Sequence, residues 1–443
     1  MTYAYLTFSQ MQSQLAARLA DGGMTFFPQG HLRSVLKEAL RTWQSMSTVQ
    51  RGRFTFNHTA ATPFYDLATV ANSLIPRTLT DRDLVNDLQY ALMEPVNDWT
   101  ASPAWSGTEQ FSMDDLVKAI QRRRDQFLLE TGCVITASEI AVGSPFDGRV
   151  PLNDSIIDVQ RAAWKNLDSV YSTLWRSDER QLNSLLVGWA TTGGTPQVYS
   201  TIVVPPITLQ LGPIPDASGS IHLLTINAGQ ALDVATGVDL GIPDDLAWAI
   251  KFGALADLLS RDGEARDPAR AAHAEQRYAE GVMIAKITGS VLNLEVNGAQ
   301  TPVVDLQSLD AMNPGWQTVV TNSGTPTVGA MAGLNLIGFS PVPSAASSVT
   351  IDCVRNASIP ANDAAQVQLA REHLDAVLDY AEYLARFKEG GAEWEATMPL
   401  AQNMLKLAAD HNQRLAAQAQ LEDELRSQSQ READRRPMRI AAA

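Results

Sequence analysis

The chain has 443 residues, 45% hydrophobic and 19% charged, which is enough for about three domains with buried cores. Its 34 basic and 49 acidic residues give a net charge of −15, which disfavours recognition of a phosphate backbone. Cys133 and Cys353 lie in strand-like runs and are expected to be buried free thiols, as in a protein from a reducing compartment. The chain start lacks a basic n-region and a continuous apolar h-region. No run reaches about 18 apolar residues, so we expect no membrane contact.

The first predicted elements are two helices, in "SQMQSQLAARLA" and "GHLRSVLKEALRTWQSM". The second places Leu32, Leu36 and Leu40 on one side, at the spacing of an amphipathic helix. Strand-like "GRFTFNH" and "FYDLATV" follow.

Two further predicted helices come next, in "LTDRDLVNDLQYALME" and "FSMDDLVKAIQRRRDQFLLETG". Ser112 and Asp115 resemble a capping box at the start of the second. We interpret residues 1–131 as a helical N-terminus with a degenerate β unit and helix pair.

The middle of the chain repeats its own pattern. "LQLGPIPDASGSIHLLTI" and "LIGFSPVPSAASSVTI" both give a strand, a Pro-x-Pro turn and a second strand. Three anchors recur at spacings of 127, 130 and 128 residues, which predicts a duplicated unit. They are Gly188-Trp189 with Gly315-Trp316, Gly194-Thr195-Pro196 with Gly324-Thr325-Pro326, and Pro213-x-Pro215 with Pro341-x-Pro343.

A helix pair is predicted after each β stretch. Pro243, Asp244 and Asp245 suit a helix start, and the helix after them is apolar on two faces, as in a sandwiched helix. Gly281 is expected to cap its partner helix. Gly390-Gly391 is expected to end the corresponding helix of the second copy.

Strands followed by helices, without strict alternation, predict an α+β fold with repeated antiparallel β units, each followed by a helix pair. The predicted domains are residues 1–131, 132–283 and 284–443. The last of these ends in a long helical C-terminal extension that becomes fully polar from about Glu422.

We find no motif that carries catalysis or metal binding. Glycine-rich phosphate loops, a Gly-x-Ser-x-Gly elbow and His-Glu-x-x-His are absent from the sequence, and the six histidines are scattered. The carboxylate pairs at Asp81/Asp83, Asp114/Asp115 and Asp244/Asp245 each open a predicted helix, where capping explains them. We therefore predict no enzyme activity, no cofactor and no metal.

Two segments are candidate interfaces. Arg122, Arg123 and Arg124 lie on a predicted helix, either on a solvated or salt-bridged face or against a partner's acidic surface or DNA phosphate. The C-terminal extension needs a partner to bury its apolar positions. Its candidate interface residues are Leu415, Leu421 and Leu425. Among the nine tryptophans, Trp189 and Trp316 recur at equivalent places, which favours a core role over sugar stacking.

Several segments together resemble virion structural proteins of tailed bacteriophages. They are "SIIDVQRAAWKN", "STLWRSDERQLNSLLVGW", "IPDDLAWAIKFGALADLLSRDGEARDPARAAHAEQRYAEGV" and "LDYAEYLARFKEGGAEWEAT". The helix pair near residues 243–281 is similar to an element of head-to-tail connector and tail-tube-like adaptor proteins. The resemblance extends over roughly residues 150–420, and the chain departs from small adaptors in its length and its repeated β unit.

The resemblance implies a structural protein of the neck or tail, made in the host bacterial cytoplasm and carried in the virion. It implies a cyclic homo-oligomer, such as a dodecamer, around a lumen that passes genome DNA without specific binding. The implied partners are the portal protein, other neck or tail proteins, and fibres. Two alternatives remain: a carbohydrate-binding or fibre-attachment module, and a hydrolase whose carboxylates converge across a cleft.

Overall fold

The computed structural model describes residues 5–70, 76–96, 99, 110–143, 146–185, 188–189, 191–202, 207–264, 266–287, 291–354 and 357–414. The fold is mixed α and β, with helical regions toward both ends, as the sequence predicts. The chain divides into two compact units. The terminal unit comprises Met1–Val49 and Ala357–Ala443, and the central unit comprises Gln50–Asn356.

The helices of the described chain are α1 (Phe8–Arg18), α2 (Gln29–Ser47), α3 (Leu67–Val70), α4 (Asp81–Leu92), α5 (Met113–Thr131), α6 (Glu179–Leu185), α7 (Ala247–Ser260), α8 (Pro268–Ile287), α9 (Leu306–Met312), α10 (Arg371–Arg386), α11 (Gly391–Glu395) and α12 (398–414). The strands are β1 (Arg51–His58), β2 (Phe64–Asp66), β3 (Thr136–Val142), β4 (Arg149–Pro151), β5 (Ile156–Asn166), β6 (Tyr171–Arg176), β7 (Gly193–Gly194), β8 (Val198–Ile202), β9 (Thr208–Gly212), β10 (Ile214–Pro215), β11 (Gly219–Asn227), β12 (Val291–Val296), β13 (Ala299–Gln300), β14 (Val303–Asp305), β15 (Ser323–Gly324), β16 (Val328–Ala332), β17 (Leu336–Ser340), β18 (Val342–Pro343) and β19 (Ser347–Val354).

The terminal unit is built from the two ends of the chain. Helix α1 begins with a capping box in which Thr7 and Gln10 exchange hydrogen bonds, so orphan amides at the helix start are satisfied. The segment before α1 pairs with the segment before α10 through a bridge between Thr7 and Gln366. Helix α2 packs against α10 and buries Leu32, Leu36, Leu40 and Trp43, as predicted.

The central unit contains two β units with different positions in the sequence. The inner β unit is contiguous and consists of β3 to β11, in the sheet order β3-β11-β5-β6-β8-β9-β4 with the short pair β10-β7. The outer β unit consists of β1, β2 and β12 to β19, in the sheet orders β1-β19-β12-β13 and β14-β16-β17-β2 with the short pair β15-β18. Each encloses its own apolar core.

The fourteen strand pairings of the described chain fall into seven corresponding pairs, one member in each β unit. Leu209 pairs with Val150 in the inner unit, and Ile337 pairs with Tyr65 in the outer unit. The same register irregularity also recurs: Gln160 is skipped between β5 and β11, and Leu292 is skipped between β12 and β19. The strand registers of the two β units therefore correspond, and this correspondence concerns the strands alone and not the helix pair predicted after each of them.

Two details differ from the prediction. Strands β1 and β2 do not form a degenerate unit of their own, because β1 pairs with β19 and β2 pairs with β17. The sheets are mostly antiparallel, but β6 and β8, β14 and β16, and both short pairs are parallel. The predicted segments 1–131, 132–283 and 284–443 thus cut across the compact units, because residues distant in sequence complete the same sheets.

Helices α4, α5, α7 and α8 form a layer within the central unit. Nearly every residue of α7 is buried, as the two apolar faces predict. Gly281 is not a C-cap: it lies within α8, where a Cβ would come within 2.3 Å of the Ala249 Cβ. The glycine lets α7 and α8 approach closely, so packing overrides its tendency to end a helix.

The helices that flank the two β units also correspond. Helices α2 and α5 both have 19 residues, and each ends at a left-handed residue, Thr48 or Gly132. Helix α4 begins with a capping box at Thr80, and Thr80 forms a bridge with Asp239, as Thr7 does with Gln366. In chain order, residues 76–287, which carry helices before and after the inner β unit, are therefore inserted between residues 5–70 and 291–414.

Candidate functional site

The inner and outer β units meet at a buried ion pair. Arg161 on β5 donates to both carboxylate oxygens of Asp310 on α9, at 2.6 Å from Nε and 2.7 Å from Nη2. Its Nη1 donates to Gln317 Oε1 at 2.7 Å. The side chains of Arg161 and Asp310 are 6% and 9% exposed, so this is a two-pronged pair shielded from water.

Asp310 also organises the loop that follows its helix. Its Oδ1 accepts the indole N–H of Trp316 at 2.8 Å and the hydroxyl of Thr173 at 3.2 Å. Asp305 is the N-cap of α9, and its carboxylate accepts the Ser308 N–H at 2.8 Å. The cap fixes the start of α9, and one further turn places Asp310 opposite Arg161.

Additional contacts extend this junction. The Tyr171 N–H donates to Thr318 Oγ1 at 2.8 Å. Farther along, the Asn335 side chain accepts the Ile135 N–H at 2.8 Å and donates to the Ile135 carbonyl at 3.0 Å. His222 stacks on Phe64 with ring centroids 5.6 Å apart. Burial, together with the charge of Arg161, lowers the pKa of His222 to about 4.

The two β units contribute different surfaces to this junction. The inner unit contributes its hairpin face, which we define by Arg161, Tyr171 and Thr173 on β5 and β6. The outer unit contributes its tryptophan-loop face, which we define by Asp310, Gly315 and Thr318. Because corresponding units meet through non-corresponding surfaces, the contact is head to tail.

The strand registers and the 127-residue spacing identify the counterparts of these faces. The outer hairpin face comprises Asn293, Gly298 and Gln300. The inner tryptophan-loop face comprises Asn183, Gly188 and Thr191. Asn183 accepts the indole N–H of Trp189 at 2.9 Å, as Asp310 accepts that of Trp316. Both tryptophans are buried, which confirms their predicted core position.

A cavity of about 830 Å³ opens beside the junction. It is lined by polar groups including Gln160, Arg161 and Asp305, and by the indole of Trp175, whose residue is 60% exposed. Burial raises the pKa of the Cys133 thiol, which also lines it. The cavity thus offers hydrogen-bonding groups and the exposed indole of Trp175, with the thiol held in its protonated form.

The structure separates the three predicted arginines. Arg123 is buried and donates to Asp257 at 2.6 Å and to Glu275 at 2.7 Å, so it joins α5 to α7 and α8. Arg124 is also buried and donates to the Gln230 carbonyl at 2.7 Å. Only the Arg122 side chain, 68% exposed, is open to a partner, although it also contacts Asp257. The three arginines therefore mainly form contacts within the chain.

The remaining predicted residues have mixed outcomes. Leu415, Leu421 and Leu425 lie outside the described residues. Ser112 caps α5 by accepting the Asp115 N–H at 3.2 Å, as predicted. Asp244 begins a short 3-10 helix (Asp244–Leu246), as the sequence predicts, but its carboxylate does not cap that helix. It accepts the backbone N–H groups of Thr78 and Leu79, so it joins two segments that are distant in sequence.

Both cysteines are buried and unbridged. Within the described ranges, no group of three or more His, Cys, Asp and Glu side chains is arranged to hold a metal ion. The helices described for this chain include none that is long and apolar enough to cross a membrane.

No family model matches the chain, and no curated protein matches it.

Sequence reasoning missed the Arg161–Asp310 pair. A lone arginine in a strand and a lone aspartate in a short helix carry no local signal of pairing. One signal was present: Asp310 precedes Trp316 by six residues, as Asn183 precedes Trp189. That recurrence marks the position, but the partner across the junction requires the fold.

Proposed function

We propose that the protein is a structural virion component of a tailed bacteriophage, acting as a head-to-tail connector, adaptor or tail ring that surrounds the DNA channel. The observation that carries the proposal is the head-to-tail contact between the two β units of one chain. A contact between non-corresponding surfaces extends from unit to unit, and it gives a ring when the rotation closes. The sequence resemblance to connector and adaptor proteins supports the same class.

The charge of the chain supports a lumen for DNA. With 49 acidic and 34 basic residues, the protein repels a phosphate backbone more than it attracts it. DNA then passes without the phosphate contacts that dominate non-specific binding. In this proposal the protein acts without catalysis, as two copies of one unit in each chain of a cyclic homo-oligomer such as a dodecamer. Its other partners are the portal protein, neighbouring neck or tail proteins and fibres.

Electron microscopy of the purified full chain tests this function. We expect closed rings with an axial hole, and we expect antibody against the protein to label the neck or tail of particles. Monomers under all conditions, together with particles that lack the protein, would contradict the proposal. We also propose that the C-terminal extension docks to a neighbouring protein, and truncation after Arg414 tests this separately: particles that assemble normally and retain their DNA would exclude it.

One observation favours a second candidate, a carbohydrate-binding or fibre-attachment module. Trp175 is 60% exposed at a cavity that also presents Gln160, Arg176 and Asp305. An exposed indole beside hydrogen-bonding groups suits a sugar ring. Glycan-array binding that is lost in Trp175→Ala would favour this candidate, and the exposed Leu167→Ala is the matched control.

A further inference from the structure

Each β unit has a hairpin face and a tryptophan-loop face, and the junction inside the chain uses only one of each. The inner hairpin face and the outer tryptophan-loop face cover each other, so Arg161, Asp310 and Thr318 are all buried. Their counterparts are more open to solvent. Asn183 and Thr191 are exposed, and Asn293 is half-buried. Each chain therefore presents two uncovered faces, the outer hairpin face and the inner tryptophan-loop face, which correspond to the two faces that meet inside the chain.

We propose that a second copy of this chain covers these faces: the outer hairpin face of one chain binds the inner tryptophan-loop face of the next. This inference rests on the proposed ring function, and it identifies the surface through which the ring closes. It repeats between chains the contact already present within one chain.

The first argument is a matched change of charge. Arg161 faces Asp310 inside the chain, whereas the corresponding residues are Asn293 and Asn183. A change at one position alone would leave a buried charge without its partner, which is strongly unfavourable. The simultaneous change to two amides keeps the pair complementary.

The hydrogen bonds leave suitable groups for that pair. Asn183 uses its Oδ1 to accept from Trp189, so its amide N–H groups point away from the tryptophan. Asn293 uses its amide nitrogen to donate to Glu295 and Asp352, so its Oδ1 remains as the acceptor side. A donor on one face thus meets an acceptor on the other.

The loop chemistry is also retained. Thr318 bonds the Gly315 carbonyl through its backbone N–H and receives the Tyr171 N–H at its hydroxyl. Thr191 bonds the Gly188 carbonyl in the same way, at 2.9 Å. The residue that corresponds to Tyr171 is Gly298, which is exposed at the tip of the outer hairpin. Its backbone N–H is the expected donor to Thr191.

Exposed apolar residues beside the outer hairpin face provide a further argument. Leu292 is 48% exposed and Val303 is 37% exposed. Their inner counterparts are the polar Gln160 and Arg176, which line the water-accessible cavity. Apolar replacements at exposed positions are favoured where a partner removes them from water. On the same sheet, Arg53 forms ion pairs with both Glu295 and Asp352, and these three residues would form the polar rim.

Native mass spectrometry of mixed variants tests the proposal. Leu292→Arg blocks the outer hairpin face, and Thr191→Arg blocks the inner tryptophan-loop face. We expect each variant alone to self-associate about a hundredfold more weakly than the wild type, because a buried charge without a partner opposes binding. Mixed together, they should give a one-to-one dimer and nothing larger, because each retains the face that the other lacks. The matched control is Met283→Arg, which changes an exposed apolar residue on α8 and should assemble as the wild type does.

A second pair of variants guards against misfolding. Asn293→Arg should weaken assembly. Adding Asn183→Asp to the same chain should restore assembly, because the new Arg and Asp would form between chains the ion pair that Arg161 and Asp310 form within one chain. Blocked variants that still form wild-type rings would overturn this inference while leaving the ring function intact. Failure of the mixture to dimerise, with both variants folded by circular dichroism, would also overturn it. A wild-type chain that remains monomeric under all conditions would overturn this inference, and it would also contradict the ring function if particles lack the protein.

Discussion

Replacing Asp310 with alanine tests whether the two β units are joined by the buried ion pair. The substitution removes the acceptor of two bonds from Arg161 and one from Trp316. Breaking a buried pair costs about 3–5 kcal/mol, because the remaining charge stays desolvated. The Arg161 side chain is only 6% exposed, so solvent does little to screen this loss. We expect destabilisation of the central unit by about that amount.

The matched control is Asn183→Ala in the inner unit, compared at a concentration at which the chains do not self-associate, because Asn183 is also assigned to the contact between chains. It removes only the hydrogen bond from Trp189 at an exposed position, so we expect a loss of about 1 kcal/mol. Asp310→Asn should lie between the two, because it keeps an acceptor for Trp316 but loses the ionic bond to Arg161. Arg161→Met combined with Asp310→Leu should cost less than the sum of the two single changes.

Urea unfolding followed by tryptophan fluorescence measures these differences. Because the chain has two compact units, hydrogen exchange of peptides from β5 and α9 should locate the change in the central unit. Equal unfolding free energies for Asp310→Ala and wild type, within about 0.5 kcal/mol, would refute the reasoning. Additive effects in the double variant would show that the two side chains are not coupled.

Three further predictions follow from particular contacts. Arg123→Ala should lower the unfolding free energy by about 1.5–3 kcal/mol, because it removes the buried donor shared by Asp257 and Glu275 while Asp257 keeps Arg122, whereas Arg122→Ala should change it by less than about 1 kcal/mol; urea titration that ranks them in the opposite order would contradict the assignment. Gly281→Ala should destabilise by about 1–3 kcal/mol despite the better helix propensity of alanine, and an unchanged melting temperature would show that α7 and α8 separate easily. The depressed pKa of His222 means that the unfolded chain binds a proton first, so stability should be full above pH 6.5 and fall as the pH drops toward about 4; His222→Phe should flatten that part of the curve in urea midpoints measured across the range.

The local elements could be predicted from the sequence because their signals are local. The apolar spacing of Leu32, Leu36 and Leu40 indicates α2, and Ser112 marks the start of α5. The repeated glycine and proline anchors lie at corresponding places in the two β units, where Gly194 pairs with Pro215 and Gly324 pairs with Pro343.

The order of assembly could not be predicted in this way. Strand β1 has no local feature that identifies β19 as its partner, so its sequence fits a unit of its own equally well. Gly281 shows the same limit at one residue, because glycine serves both at helix ends and at close helix contacts. The Arg161–Asp310 pair forms only when the outer sheet has gained its strands from distant parts of the sequence and α9 packs next to the inner sheet, and neither step leaves a local sequence signal.

Because the outer β unit is interrupted in sequence, its paired strands are synthesised far apart in time. His58 on β1 lies opposite Ser347 on β19, 289 residues later, whereas the inner pair Thr136 and Thr225 is separated by 89. At about 5–20 residues per second, β1 leaves the ribosome roughly 15–60 s before its partner strand exists. During that interval its edges have no native strand to pair with, which makes them open to pairing with other nascent chains. In a polysome, neighbouring nascent chains would each expose an unpaired β1. Slow translation, or many ribosomes on one message, should therefore favour pairing between chains over correct pairing of β1 with β19 in the same chain.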